Sequence, residues 1–391
     1  MAGSIEKTGI VIVGGGIAGA SLAWFLAQAG RGDVIVLERE ASLAVHSTGR
    51  NAATLSELDG DPTLCAIKVA ASGFFRSPPP GFSDSPLLRP TGVVSLVSER
   101  EVPGLAARER FLRSLGLDFR ILTPAETVAQ VPELRASEFA AAIDVACDGR
   151  LDVHEILSSY LRGARSHGAE IRLGTAVHDV IVEGGRCVGV ATDRGEIRAD
   201  LVVDAAGAWA GRVAAMADAS PIPLQPLRRS IFLFPTPPGV DPAAWPEVIS
   251  DAHSVYFAPE VGEMMASPMD EVPMEPCDPS PDEETIAAAV ERLARLAPRL
   301  RPATIRHRWS GLRTFSPDRV HVVGEDPRRP GFFWLAAQGG CGIETSSLIG
   351  RVAADLVVRG STDAFDARRL APGRFGARVA AGDTEPFARA G

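Results

Sequence analysis

Tyrosine is almost missing from this 391-residue chain, which has two, and its five cysteines fall singly at 65, 147, 187, 277 and 341. An odd number without a Cys-x-x-Cys pair gives neither a disulfide framework nor a zinc site, so no metal is expected. Most of these thiols are expected as small buried hydrophobes. Positive charge is also short: 40 Lys and Arg against 49 Asp and Glu leave a formal net charge of −9. A nucleic-acid partner would need a clustered basic excess, and the arginines between 292 and 308 are broken up by apolar residues and prolines. Long apolar runs are lacking as well. The nearest candidate for a membrane span, residues 201–217, contains Asp204 and Arg212, so no span is expected. Residues 1–8 hold Glu6 and Lys7 and lead into an apolar strand without a signal-peptide core, which reads as a cytoplasmic protein.

What is present is informative from the first strand. Residues 9–13, Gly-Ile-Val-Ile-Val, are followed by Gly14-Gly15-Gly16-Ile17-Ala18-Gly19, an apolar helical stretch, and a second strand ending Leu37-Glu38-Arg39. The three spaced glycines do different work: Gly14 makes a tight turn, Gly16 lets backbone approach a pyrophosphate, and Gly19 allows close packing of helix on strand. The helix N-terminus then offers free N–H groups and a positive dipole end to phosphate. Glu38 lies about 20 residues beyond the turn, where a carboxylate meets an adenosine ribose. A dinucleotide site follows from the combination, because strand, turn, helix and acid occur in the required order.

The rest of the chain interleaves such α/β pieces with two insertions. Residues 56–147 are irregular, with the loop Ser77-Pro78-Pro79-Pro80-Gly81 and a strand near 91–97. Helical spacing returns at 153–166, and a hairpin is expected at 176–192 around Gly184-Gly185. Residues 201–209 read as a buried strand ending in a small-residue turn. A second insertion, about 221–302, contains a strand at 228–234 and an amphipathic helix at 282–296. Near the end, the strand 332–336 runs into Gln338-Gly339-Gly340-Cys341-Gly342 and another helix through Val358; the tail after Pro372 is expected to be loosely held. Two glycine turns, one at each end of the chain, thus each deliver a helix N-terminus. One suits a pyrophosphate and the other the N1–C2=O edge of a flavin, whose reduced anion a positive dipole stabilises; the second turn also reads as an ordinary strand-to-helix connection.

Several separated segments together resemble the D-amino-acid oxidase superfamily of flavoproteins, and within it most closely the D-arginine dehydrogenases. They are Gly14 to Gly19, residues 37–40, His46-Ser47-Thr48-Gly49-Arg50, 86–88, 204–209, 228–230, 309–313 and 337–340. The resemblance implies noncovalent FAD and an α/β fold: a Rossmann-like FAD domain (1–55, 148–225, 305–391) interleaved with an α+β substrate domain on a large mixed sheet (56–147, 226–304). It implies cofactor contacts from Gly14, Gly16, Ile17, Ala18, Gly19, Glu38, Arg39, Val177, Gly207, Trp209, Gly339, Gly340, Gly342, Ile343 and Glu344. Residues 46–50 also make sense as a second anion cradle of hydroxyls, glycine and guanidinium, or as a polar surface loop.

For the substrate, the resemblance points to Arg229 and Arg313 gripping a carboxylate, with the Tyr256 hydroxyl beside them and His46 near the amine. A guanidinium stays charged when buried and binds a carboxylate bidentately; on residue type alone, Arg229 also reads as a strand-edge surface charge and Arg313 as a structural ion pair. Tyr160 is expected to be packing. The implied reaction is hydride transfer from Cα of a D- or secondary amino acid to flavin N5, giving an imino acid and then a 2-oxo acid. Oxygen or a quinone-like carrier would reoxidise the flavin. A 2-hydroxy-acid dehydrogenase and a noncatalytic flavoprotein subunit are the alternatives. Departures from the family stand out: residues 51–56 lack the active-site-loop tyrosine, Asp84, shorter than the family's glutamate, reads either as facing a cationic side chain or as capping a turn, and Cys341 and Glu344 stand where an aromatic residue and a glutamine are expected. An ionised Glu344 beside the ring would oppose anionic flavin.

Overall fold

The computed structural model describes residues 6–376. Residues 1–5 and most of the tail beyond Pro372 lie outside the described residues. The first of three sheets has eight strands. Its main path runs from the hairpin Val177–Glu183 and Arg186–Thr192 through Gly195–Asp204, Glu6–Val13 and Val34–Leu37 to Glu170–Arg172. Phe332–Ala336 adds in parallel to Gly195–Asp204 and pairs antiparallel with Val322–Glu325. The strands at its centre are runs of Val and Ile with no alternation, as a parallel sheet covered on both faces requires.

Helix Ile17–Gln28 leaves the end of the first strand and is apolar nearly all round. It packs on two sides: Leu22 and Leu26 meet Ile349 and Val352 of helix Ser346–Arg359, while Trp24 meets Leu157 and Tyr160 of helix Val153–Ser166. Tyr160 is wholly buried there among Trp24, Phe74 and Phe82.

The second, nine-stranded sheet is mixed. Its order is Val272–Pro273, Gln225–Pro235, Glu263–Ser267, Val255–Glu260, Glu247–Ser250, Val93–Val97, Ala141–Val145 and Arg120–Leu122, with His307–Phe315 paired along Gln225–Pro235. Alternation divides its residues between two faces. Phe232, Phe234, Phe257 and Val248 face helix Glu283–Leu296 and form a core with Ile286, Ala289 and Leu293. Ile231, Ala258, Met265, Tyr256 and Trp309 occupy the opposite face and pack against Ala52 of the loop that follows the second strand. That face is the floor of the site. A short third sheet, Thr54–Leu55, Gly149–Leu151 and Leu88–Pro90, lies beside it.

Two elements pack across the expected domain division. Helix Pro62–Arg76 falls inside the stretch given to the substrate domain, yet Leu64, Ile67 and Ala71 join the core of the first sheet's helices. Conversely His307–Phe315, expected in the cofactor domain, extends the nine-stranded sheet. In each case an amphipathic or alternating pattern fixes the element but not the layer that covers its apolar side.

Candidate functional site

The glycine turn has the geometry a pyrophosphate needs. Gly14 has φ +115°, and a Cβ there would lie 2.4 Å from Ala205 O; one at Gly19 would lie 2.1 Å from Gly14 O. Gly16 caps helix Ile17–Gln28 with no side-chain bond and no acid in the first turn. Ile17 N donates to Thr48 Oγ1 at 3.1 Å, which leaves Ala18 and Gly19 N–H free of partners among the described residues. Glu38 accepts from Gly15 N and Glu40 N, both at 3.0 Å, which holds its carboxylate beside the turn. Val177 opens its strand two residues after Thr175, whose N–H donates to Glu38 O at 2.9 Å. Gly207, with φ +57°, turns the chain so that Trp209 meets Arg39, whose guanidinium carbon is 3.8 Å from the ring centroid.

The segment 46–50 divides its residues between two jobs. Thr48 faces the helix N-terminus, as above, and Gly49 lies against Ala44 O, which a Cβ would approach to 1.9 Å. Ser47 Oγ instead donates to Leu312 O at 2.6 Å. Arg50 donates to Val45 O and Ser310 O and pairs with Asp278. Its guanidinium therefore ties the cofactor layer to the second sheet rather than standing open in an anion cradle. His46 is likewise drawn to the cofactor side: its Nε2 is 2.8 Å from Glu40 Oε1 and 3.1 Å from Arg39 Nη2, and its ring lies 4.7 Å from that of Trp209. The structure brings it together with Arg39 and Trp209, with no contact to Arg229, Arg313 or Tyr256 among the described residues.

Those three do come together, on the floor sheet. Arg229 and Gly311 are direct cross-strand partners, and Arg313 is two residues further along the same face. Glycine at 311 makes the arrangement possible, because a Cβ there would lie 2.7 Å from Arg313 Nη1; the long side chain folds back over the gap towards Arg229. Arg313 is 7% exposed and donates only to the Leu312 and Arg50 carbonyls. No carboxylate pairs with it among the described residues. Burial, and then the neighbouring Arg229 charge, press its pKa down to about 10. Arg229 donates to Asp270 O at 3.0 Å and pairs with Glu271 at 2.9 Å, a carboxylate it shares with Arg319. Tyr256 faces both arginines; burial pushes its phenol up, and the Arg229 charge opposes that shift.

At the other glycine turn, Gly339 has φ +54° and lies under the Phe315 ring. Gln338, beside it, has both side-chain polar atoms buried and without partners. A flavin's pyrimidine edge, which both donates and accepts, fits that orphaned amide. Gly340 has open space around it and Ile343 packs next to Trp24's cluster. Burial pushes the Cys341 thiol up to about 12, so it stands as a neutral group. Glu344 is not the isolated anion anticipated beside a flavin: it pairs with buried Lys68 at 3.1 Å and accepts from Ser56 N at 2.8 Å. Asp59 holds the same ammonium at 2.9 Å. Burial opposes the Lys68 charge, but the two carboxylates keep it well above its ordinary value.

Asp84 does not reach the site. It is exposed, without a hydrogen bond among the described residues, in a loop anchored by Phe82 in the aromatic cluster of Trp24 and Tyr160. The buried acid on the sheet face that carries Arg229 and Tyr256 is Glu247, which the sequence analysis passed over. It is 4% exposed, accepts from Thr54 Oγ1 at 2.6 Å, and burial pushes its carboxyl up to about 7. Its signal was an acid at an inward position of a short apolar strand. Lys68 carries a similar one, four residues after Leu64 on the buried face of its helix. The acidic group Glu57, Cys147 and Asp148 is occupied by the Arg76 guanidinium, 2.7 Å from Glu57 and 3.1 Å from Asp148.

Residues 9–356 match the family described as FAD dependent oxidoreductase (DAO), and the chain belongs to that family. It is an enzyme whose cofactor is FAD, for which noncovalent binding is typical; the free N–H groups at the first glycine turn and the orphaned Gln338 amide fit that group. The chain is 28% identical to the glycine oxidase of Geobacillus kaustophilus over 376 residues, covering 93% of this chain and 95% of that one. It is also 28% identical to hydrogen cyanide synthase subunit HcnC of Pseudomonas aeruginosa, over 251 residues that span 62% of this chain and only 58% of that relative. The fold is similar to that of L-proline dehydrogenase from P. horikoshii, with a TM-score of 0.86, 24% identity, and 96% and 99% of the two chains covered. Among the described residues no helix is long and apolar enough to cross a membrane.

Proposed function

We propose that this enzyme oxidises the Cα–N bond of an amino acid, D-configured or secondary, whose carboxylate lies between Arg313 and Arg229. One observation carries the reading: Arg313 is a buried guanidinium with only carbonyl acceptors and a second guanidinium beside it. Arg229 has Glu271 for a partner, but the buried Arg313 charge has no carboxylate among the described residues and is destabilising until an anion joins it, and a substrate carboxylate matches its bidentate donors. The relative named as a glycine oxidase supports an amino acid as the source of that carboxylate.

FAD held at the Gly14–Gly19 turn and beside Gln338 would supply the two-electron acceptor for the Cα hydride. The chain's own part is orientation. Two guanidiniums on one face of a rigid sheet fix the carboxylate, and with it the direction of the Cα–H bond. The Tyr256 hydroxyl, kept neutral by burial, donates to the same carboxylate. The substrate amine loses its proton to solvent before the hydride leaves, so no residue need act as base, and the imino acid hydrolyses to a 2-oxo acid and ammonia or an amine. His46 serves the cofactor side in this reading. The resemblance to D-arginine dehydrogenases extends to the carboxylate clamp and stops at the side chain, since Asp84 is on the surface. The enzyme is taken as cytoplasmic, with oxygen or a quinone-like carrier as acceptor.

The test is anaerobic mixing of the FAD-loaded protein with D-, L- and N-methyl amino acids and 2-hydroxy acids. Bleaching of the flavin band by amino acids is expected. Bleaching by hydroxy acids alone would overturn the reading.

A further inference from the structure

A buried ionic cluster stands behind the second glycine turn and has no part in the reaction as derived. Lys68 lies on helix Pro62–Arg76, which packs along helix Ser346–Arg359: Leu64 and Ile67 share a core with Cys341, Leu348 and Ile349, and Ser347 Oγ donates to Ala71 O at 2.9 Å. The ammonium donates to Asp59 at 2.9 Å, Glu344 at 3.1 Å and Leu58 O at 3.2 Å, so all three of its N–H bonds are used. Glu344 accepts with its other oxygen from Ser56 N at 2.8 Å.

The placement of that carboxylate calls for a cause. The N–H groups of Gly342, Ile343 and Glu344 have no partner among the described residues, and they lead into helix Ser346–Arg359, whose first turn holds no acid. Free N–H groups at a helix start attract an anion, and the nearest in sequence is the Glu344 carboxylate itself. Neither of its oxygens bonds them. The Gln338 side chain, with its orphaned amide, lies against Gly342, where a Cβ would come 3.2 Å from its Oε1. The unpartnered amide and the free N–H groups therefore belong to one part of the turn, and Glu344 is held off it by donors from the loop at 56 and from helix Pro62–Arg76. Burial pushes the Glu344 carboxyl up, and the Lys68 charge is the largest influence against that shift. The other titratable groups at the turn are neutral, since burial presses His321 down to about 3 and pushes Cys341 up to about 12. Two carboxylates against one ammonium leave the cluster with one net negative charge.

We propose that Lys68 is a positioning residue for the cofactor: as the counter-ion of Glu344 it keeps a buried carboxylate ionised and away from the N–H groups of the turn, so that these and the Gln338 amide stay open to the flavin's pyrimidine edge. Lys68 touches neither flavin nor substrate and acts through Glu344. Its need follows from the acid at 344, and a glutamine there would dispense with it. The inference concerns the cofactor side alone and does not depend on which substrate is oxidised.

The test compares wild type, Lys68→Met, Glu344→Gln and the double variant as FAD-loaded full chains. FAD release on dilution gives the cofactor's Kd, and chemical reduction against a reference dye gives its midpoint potential, so no substrate enters and a failure of the amino-acid reading leaves the result untouched. Lys68→Met is expected to raise the Kd about tenfold or more, because an uncompensated buried carboxylate remains beside the turn. The double variant should return the Kd to within about threefold of wild type, by removing both members of the buried pair. Glu344→Gln alone removes one negative charge near the flavin, so the reduced, anionic form should gain about tenfold over the oxidised one, a shift of about +30 mV for a two-electron couple; the double variant, with the wild-type net charge, should return towards the wild-type potential. A double variant that releases FAD as readily as Lys68→Met would make Lys68 a mere packing residue and overturn the proposal. So would a Glu344→Gln potential equal to that of wild type, a readout that holds even where Lys68→Met does not fold.

Discussion

The two halves of the site are built by different means. At the cofactor end, function follows from chain neighbours: Gly14, Gly16, Gly19 and Glu38 lie within 25 residues, and one strand–turn–helix–strand unit places them all. On the proposed substrate face nothing is local. Arg229, Tyr256 and Arg313 sit on three different strands, and only the pairing of a nine-stranded sheet brings them to one face. A local device tolerates change elsewhere and fails when one glycine gains a side chain. A cross-strand device depends on each member's chemistry, because the sheet persists when one is replaced.

That contrast can be broken at either end. The largest effect is expected from Arg313→Met, which removes the unpaired guanidinium: kcat/KM for the best amino acid should fall by roughly 10³-fold or more, from losing a charge-assisted bidentate contact, while FAD loading and the melting temperature hold. Absorbance spectra and turnover assays on the same preparation check both parts. Gly19→Ala should do the reverse. Its Cβ would meet the Gly14 carbonyl, at a cost of about 1–3 kcal/mol, and the purified protein should hold less FAD and melt earlier. Loss of activity with full FAD occupancy would count against the local account.

Tyr256→Phe keeps the ring's packing on the sheet and deletes one hydroxyl. It should raise KM by about tenfold with little change in melting temperature, in line with one hydrogen bond to a charged partner.

The last effect concerns stability alone. Burial pushes Asp204, at the end of the strand Gly195–Asp204, up to about 8. The folded protein therefore binds a proton there that the unfolded chain, with an ordinary carboxyl near 4, has released. Stability from this group is complete below about pH 4 and is lost as pH rises towards 8. Asp204→Asn should flatten that decline, by on the order of a few kcal/mol between those limits at most, in denaturant titrations at pH 5 and 8. An unchanged slope would mean that Asp204 is ionised in the folded state.

The same contrast governs what could be read without coordinates. Helix 153–166, the hairpin around Gly184-Gly185 and the strand at 228–234 were legible because each pattern repeats within a few residues. The layer that each apolar side joins was not. Helix Pro62–Arg76 therefore went to one domain and packs against both, with Leu64, Ile67 and Ala71 in one core and Cys65 and Val69 in the other, while His307–Phe315 was given to the cofactor domain and extends the nine-stranded sheet. Within the site, Arg229, Tyr256 and Arg313 were reachable through resemblance, and the sheet explains their meeting. Asp84 is exposed in a loop held by Phe82 in the Trp24 cluster, while Glu247, nine residues before Tyr256, is buried on the same sheet face as Tyr256 through strand pairing. Glu344 looked like a lone charge because its counter-ion, Lys68, comes from a helix nearly 280 residues earlier.

The central claim is that Arg313 and Arg229 hold a substrate carboxylate, and the most direct measurement is competition. FAD-loaded enzyme is titrated with simple carboxylates that cannot be oxidised, and with primary amines lacking a carboxyl group, while the flavin spectrum and amino-acid turnover are followed. The account predicts that carboxylates perturb the spectrum and compete with the amino acid in the wild type, that Arg313→Met loses both effects, and that the amines fail to reduce the flavin. Amines that reduce it as fast as amino acids, or carboxylate inhibition that survives in Arg313→Met, would contradict it.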